Sequence, residues 1–255
     1  MVQEEAIEQL IASLKTDHRV QALFVKGSIG RGEHDEYSDI DLYCMVEEKD
    51  QEVFLQKRLD HLRTYRELLF YDDIFIIAPQ VIAVYDNLLH VDLFTVTEES
   101  FIEKDFFKVY YDPKGLLSPY QASQHLQLSP TEFLDNAMDT VWFLFQYRKA
   151  QRRGNHLWAV DMLHQVMLCF SKVLLHHYSS DRAQLGLKTL ERFLPLPILK
   201  QVQEIFNQIT LKDHTVAASL IVTVLKNELE WMFSQLEEPE KLKPFAEKLL
   251  SSFKK

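Results

Sequence analysis

Gly27-Ser28-Ile29-Gly30-Arg31-Gly32-Glu33-His34-Asp35-Glu36-Tyr37-Ser38-Asp39-Ile40-Asp41 lies between two apolar runs. Ala22-Leu23-Phe24-Val25 comes before it and reads as a buried strand ending at Lys26. Ile40-Asp41-Leu42-Tyr43-Cys44-Met45-Val46 follows and reads as a second strand with acids at its mouth. The glycines and serine between them suit a turn and one helical turn. A strand entering a glycine-rich turn at a helix start collects phosphate, because free N–H groups and the positive helix end point at one place. Ser28 adds a hydroxyl donor, and Gly27 lets the backbone approach closely because it has no Cβ. Asp39 and Asp41 face the same way, about 6.6 Å apart at their Cα atoms, since strand side chains alternate with a period of two. Like charges held side by side call for a cation, and hard oxygen ligands favour magnesium. Phosphate donors beside paired carboxylates point to metal-assisted chemistry on a nucleoside triphosphate.

Gly27-Ser28, Arg31-Gly32 and Ser38-Asp39-Ile40-Asp41-Leu42 together resemble the signature of the DNA polymerase β-like nucleotidyltransferase superfamily. Within it, the chain is similar to the small bacterial enzymes that adenylylate aminoglycosides or lincosamides. The family pattern asks for a third carboxylate on a neighbouring strand, and His90-Val91-Asp92-Leu93-Phe94 supplies Asp92. The resemblance is specific over residues 20–46, fair over 80–113 and architectural beyond. It implies an α+β fold: a mixed palm-like sheet with helices over 1–120, followed by an all-α helix bundle over 121–255 that binds the acceptor across a cleft.

The resemblance also implies a pair of magnesium ions and transfer of a nucleoside monophosphate, with ATP the expected donor. Asp39 and Asp41 would bridge the ions, with Asp92 on the ion that meets the acceptor. Ser28 and the local N–H groups would hold the β- and γ-phosphates. Arg31 either neutralises the leaving pyrophosphate or pairs with Glu33 or Asp35. Lys26 is either a phosphate contact or a solvated strand end. Related small enzymes place a carboxylate in the helical half as general base. Asp161 is the first candidate here, with Glu132 and Asp139 behind it, and the alternative for each is an acid without chemistry.

A net charge of −10 argues against nucleic-acid binding, which depends on Lys and Arg neutralising phosphates, and is compatible with a small cationic acceptor. A 47% hydrophobic, 26% charged composition is that of an ordinary globular protein. No uninterrupted apolar run approaches the ~20 residues of a membrane span. The acidic start Met-Val-Gln-Glu-Glu lacks a signal-peptide pattern. Cys44 and Cys169 read as reduced core residues, and a cytoplasmic location is expected. Oligomeric state is left open, a homodimer included.

Apolar spacing predicts a first helix over residues 3–15 and a surface helix over 50–69. Short β runs are expected at 73–78 and 81–85, with a returning strand over 88–96 after the Asp86-Asn87 turn. Val109-Tyr110-Tyr111 would close the sheet. Ser129, Pro130 and Glu132 form a helix start, with cap, first turn and reciprocal acid in order. Helices then follow to about Ala150, over 156–178, in two pieces over 187–207, and over 214–235 and 240–252. His156 and His164 are read as packed or solvated, and Trp142, Phe143, Phe145, Tyr147 and Trp158 as core.

The chain lacks the P-loop pattern and protein-kinase signatures. The leading expectation is AMP transfer to a hydroxyl of a small molecule such as an aminoglycoside-like or lincosamide-like antibiotic, which would confer resistance. The alternatives are modification of protein or tRNA in a toxin–antitoxin role, and a non-catalytic nucleotide-binding module.

Overall fold

A computed structural model describes residues 1–101 and 104–253. The chain divides into two units, Met1–His125 and Leu126–Lys255. In the first, α1 (Val2–Leu14) buries Ala6, Ile7, Leu10, Ile11 and Leu14, the stripe that helical spacing predicts. Strands β1 (Val20–Val25) and β2 (Ile40–Val46) flank the short helix α2 (Gly27–Arg31). Then come α3 (Glu48–Leu55), α4 (Arg58–Leu62), β3 (Leu68–Phe75), β4 (Pro79–Tyr85), β5 (His90–Val96) and β6 (Lys108–Tyr111). Among the described residues these strands form one mixed sheet in the order β3-β4-β5-β2-β1-β6. The β2–β5 pair is parallel and the other pairs are antiparallel.

Each face of the sheet is covered by different material. On one face, Leu23, Val25, Leu42, Val81, Ala83, Tyr85, Val91 and Leu93 pack with α1 and with Phe54 and Leu62 of α3 and α4. On the other, Ala22, Phe24, Tyr43, Met45, Phe94 and Val96 pack under Phe107 and Leu117. Strands buried on both faces read as continuous apolar runs, which is why β1 and β2 are so apparent in the sequence.

The single helix expected over 50–69 is instead two short helices and the first part of β3. Arg58, 2% exposed, makes the break: its Nε donates to the Leu55 carbonyl at 3.1 Å and its guanidinium meets Asp73 at 2.8 Å. Strand β3 begins at Leu68, five residues before the expected β run at 73. As an edge strand it is exposed at most positions, so it carries no apolar alternation to read.

The second unit is helical: α5 (Pro130–Arg152), α6 (His156–Tyr178), a 3₁₀ segment (Ser180–Lys188), α7 (Leu190–Phe193), α8 (Leu196–Gln208), α9 (His214–Ser234) and α10 (Lys243–Ser251). Phe133, Val141, Leu144, Leu163, Val166, Phe170, Leu174, Ile205, Ile221 and Leu225 make its core. Tyr147 joins that core, Phe143, Phe145 and Trp158 pack against it, and Trp142 is 48% exposed. Cys44 and Cys169 are free thiols. Helix α6 meets the length and composition of a membrane span, which the count of uninterrupted apolar residues had not suggested; half of that window is buried inside the protein.

The start of α5 is a reciprocal cap: Ser129 Oγ accepts from the Glu132 N–H at 3.3 Å, and Glu132 Oε2 accepts from the Ser129 N–H at 2.8 Å. Ser129→Ala removes one half of this exchange and lowers stability by about 1 kcal/mol, read as a shift in the urea midpoint without a change in slope.

Two histidines make this unit acid-sensitive. Burial holds His176 below its ordinary pKa, its ring lying 4.7 Å from Phe133 and 6.2 Å from Trp231. Burial and the neighbouring His156 do the same to His214. The folded state therefore binds fewer protons than the unfolded chain. The stability these groups protect is complete above pH ~6.5 and is lost as pH falls below it. His176→Phe, which leaves no polar atom behind where Nδ1 now has no partner, flattens the fall of the thermal midpoint between pH 7 and 5.

Candidate active site

The turn after β1 is shaped by one close approach. The Lys26 N–H donates to the Asp41 carbonyl at 3.0 Å, which draws the end of β1 against the start of β2. Gly27 has φ +65°, and a Cβ there would stand 2.0 Å from Asp41 Oδ2. The Asp41 carboxylate thus rests on the α-carbon of Gly27, and Ser28, half-buried, opens the first turn of α2. The far side of the loop is pinned from α1: Gln3, 2% exposed, donates to the carbonyls of Asp35, Glu36 and Ser38 at 3.0 to 3.1 Å.

The parallel pairing of β2 with β5 sets Asp41 opposite Asp92. Asp39, His90 and Asp92 each offer a ligand atom, all within 4.8 Å of one another. The His90 imidazole lies between the acids, 3.0 Å from Asp92 and 3.9 Å from Asp39. Its pKa is raised, first by the hydrogen bond with Asp92. Burial, then the charges of Asp39 and Asp92, push the Asp41 carboxyl up to about 6. Two carboxylates and an imidazole converging beside a third carboxylate are a fitting donor set for a divalent cation. Asp39, His90 and Asp92 are the residues whose ligand atoms converge, while Asp41, opposite Asp92, has its carboxylate against Gly27 and stands beside that group rather than in it.

Residues 7–113 match the family model described as nucleotidyltransferase domain. This segment is a nucleotidyltransferase domain. No curated protein matches the chain. Among solved structures, an aminoglycoside 6-adenyltransferase from Bacillus subtilis is 11% identical, with 96% of this chain and 98% of that one covered and a TM-score of 0.37. A nucleotidyltransferase-like protein from Exiguobacterium sibiricum 255-15 is also 11% identical, covering 91% and 78%, with a TM-score of 0.41. A CdnE cyclic dinucleotide synthase from Elizabethkingia meningoseptica, with GTP and Apcpp, is 11% identical over 97% and 89%, with a TM-score of 0.31.

Within the nucleotidyltransferase domain, the two cations expected at the phosphates are engaged by the protein itself. Arg31 donates from Nε to Glu33 at 3.1 Å and from its terminal nitrogen to both oxygens of Asp105, at 3.1 and 2.8 Å. Pairing with Glu33 was one of the readings open from sequence; Asp105 was not foreseen. Lys26 is no solvated strand end: it is 7% exposed, donates to the Lys104 carbonyl at 3.0 Å, and lies over the rings of Phe101 and Tyr43 at 4.8 and 5.1 Å. Burial pulls its pKa down to about 8, against the charges of Asp105 and Asp41.

The helical unit presents its candidates without a distinguishing environment. Asp161 on α6 and Asp139 on α5 are exposed, as is His164. Glu132 is occupied in the α5 cap, and His156 Nδ1 lies 2.9 Å from His214 Nε2. The polar cluster that sequence reasoning missed is Glu228, 3% exposed, which accepts from Tyr178 at 2.8 Å and lies 2.7 Å from His177. Its acid and histidine stand 51 positions apart, so no local motif marks it.

Proposed function

We propose that the chain is a magnesium-dependent adenylyltransferase that moves AMP from ATP to a hydroxyl of a small cationic acceptor. The observation that supports this reading is the convergence of Asp39, His90 and Asp92, whose ligand atoms lie within 4.8 Å of one another, with Asp41 paired opposite Asp92 across β2 and β5. Asp39, Asp41 and Asp92 would hold magnesium, which would withdraw charge from the triphosphate and lower the pKa of the acceptor hydroxyl. Ser28 and the first N–H groups of α2 orient the phosphate tail. Lys26, tethered by the Lys104 carbonyl, supplies a fixed positive charge in a nearly dry setting, where it acts more strongly than at a surface. The acceptor oxygen bonds to the α-phosphorus, the bond to the β-phosphate breaks, pyrophosphate leaves, and the hydroxyl proton passes to a carboxylate oxygen of the cluster. An aminoglycoside-like antibiotic is the acceptor class that suits an acidic protein, and the location is cytoplasmic, where ATP is present.

The test is pyrophosphate release and acceptor mass gain with ATP, magnesium and a panel of aminoglycosides and lincosamides. Acceptor-dependent release that vanishes with EDTA supports the reading. Label from radioactive ATP appearing on protein or tRNA instead would replace the small acceptor, and magnesium-dependent ATP binding with no turnover on any acceptor would leave only a binding module.

A further inference from the structure

The strand register continues the catalytic row outward. Asp41 is opposite Asp92, Asp92 is opposite Ile82, and Ile82 is opposite Asp72. With side chains alternating along each strand, Asp72 therefore shares its sheet face with the metal-binding acids. Phe70, Ile74, Ile82 and Val84 share that face by the same pairing. Ile74, Ile82 and Val84 are half-buried and Phe70 is 53% exposed, so the face is an open apolar shelf rather than core. Next along it, Gln80 is 4% exposed, and its buried Oε1 has no hydrogen-bond partner among the described residues.

Asp72 and Asp73 are neighbours with opposite fates. Asp73 points to the other face and is bound by Arg58 at 2.8 Å. Asp72 is exposed and has no ion pair among the described residues. A carboxylate left free at the rim of an apolar shelf, continuous with a metal-binding cluster, fits a ligand with a carbon skeleton and an ammonium group.

We propose that the β3–β4 face is the acceptor platform and that Asp72 anchors an ammonium group of the acceptor while its reacting hydroxyl stands beside Asp92. This inference rests on the transfer reading above and narrows its substrate. Asp72 and Asp92 lie two strands apart, so at about 4.8 Å per strand the amine and the hydroxyl are about 10 Å from one another. One sugar ring is too short for that span, and two linked rings cover it. The acceptor class is therefore an elongated aminosugar with the amine and the modified hydroxyl on different rings.

Calorimetry with neamine, a two-ring aminocyclitol glycoside, tests this with magnesium and a non-hydrolysable ATP analogue present. Trehalose, two rings without an amine, is the neutral control. Neamine binds the wild type, and trehalose binds at least about tenfold more weakly. Asp72→Asn raises the neamine Kd about tenfold, the loss of one charge-assisted hydrogen bond, and leaves the trehalose signal unchanged. Asp73→Asn leaves the neamine Kd as it was. Since Asp72 is exposed and unpaired, the thermal midpoint of its variant matches wild type. In turnover with neamine, KM rises by the same factor while kcat stays within about twofold. Failure of neamine to bind the wild type, or an unchanged Kd in Asp72→Asn, overturns the anchor. Asp72-dependent binding without pyrophosphate release on any acceptor overturns the transfer reading and leaves the anchor standing.

Discussion

Asp41→Asn abolishes nucleotidyl transfer, by about a thousandfold or more, in a protein that is no less stable than the wild type. Asparagine keeps the shape of the side chain against Gly27 but removes the anion. Losing one of the carboxylates proposed to hold magnesium costs on the order of 4 kcal/mol of transition-state stabilisation, which is about three powers of ten in rate. Stability moves the other way. The Asp41 carboxyl is held at about 6, above its ordinary 3.8, first by burial and then by Asp39 and Asp92. A raised carboxyl pKa means that ionisation costs the fold free energy, which is lost as pH rises from 3.8 through 6, by up to about 3 kcal/mol. The neutral amide does not incur that cost. In EDTA at pH 7, Asp41→Asn therefore melts at or above the wild-type midpoint, while magnesium raises the wild type and leaves the variant where it was. A variant that is both inactive and less stable in EDTA would mean that Asp41 is a structural acid.

The place of Asp92 opposite Asp41 was legible from sequence, because both acids sit near the start of an apolar strand and the two strands pair. Strand alternation was expected to put Asp39 and Asp41 on one side, but β2 begins at Ile40, and it is Asp39 rather than Asp41 that groups with His90 and Asp92. The helical unit was legible at its start, where Ser129, Pro130 and Glu132 open α5 in the order expected. What escaped is long-range. Lys26 is buried by a segment whose contact lies 78 positions away, and Arg31 meets an acid 74 positions away. Gln3 looks like an unremarkable helix-face glutamine until the loop over 35–38 folds onto it. The first part of β3, before the β run expected at 73, escaped for the reverse reason: its exposure on both faces leaves no pattern, though the same exposure makes Asp72 available to a ligand.

Gly27→Ala and Gly30→Ala damage the protein in different ways, although they lie three residues apart in one turn. Gly27 sits at φ +65°, where an L side chain costs roughly 1–2 kcal/mol. The larger effect is local: its Cβ would stand 2.0 Å from Asp41 Oδ2, the far end of a side chain that can swing away. The carboxylate moves, the fold survives, and transfer falls at least about a hundredfold, because a displacement of about 1 Å in a catalytic group costs that much. At Gly30 the added Cβ meets backbone, 2.5 Å from the Phe106 carbonyl oxygen and 2.8 Å from that of Val25. Neither oxygen can rotate out of the way, so α2 must separate from the segment carrying Asp105 and Phe106. Overpacking of this kind destabilises by about 1–3 kcal/mol. The pair of measurements that checks this is urea unfolding and acceptor-dependent pyrophosphate release on both variants. Gly27→Ala loses mainly activity, with a midpoint shift no larger than the backbone cost. Gly30→Ala shifts the midpoint most, and its residual activity at low temperature exceeds that of Gly27→Ala. The opposite ranking would show that the Gly27 contact with Asp41 plays no part in placing the carboxylate.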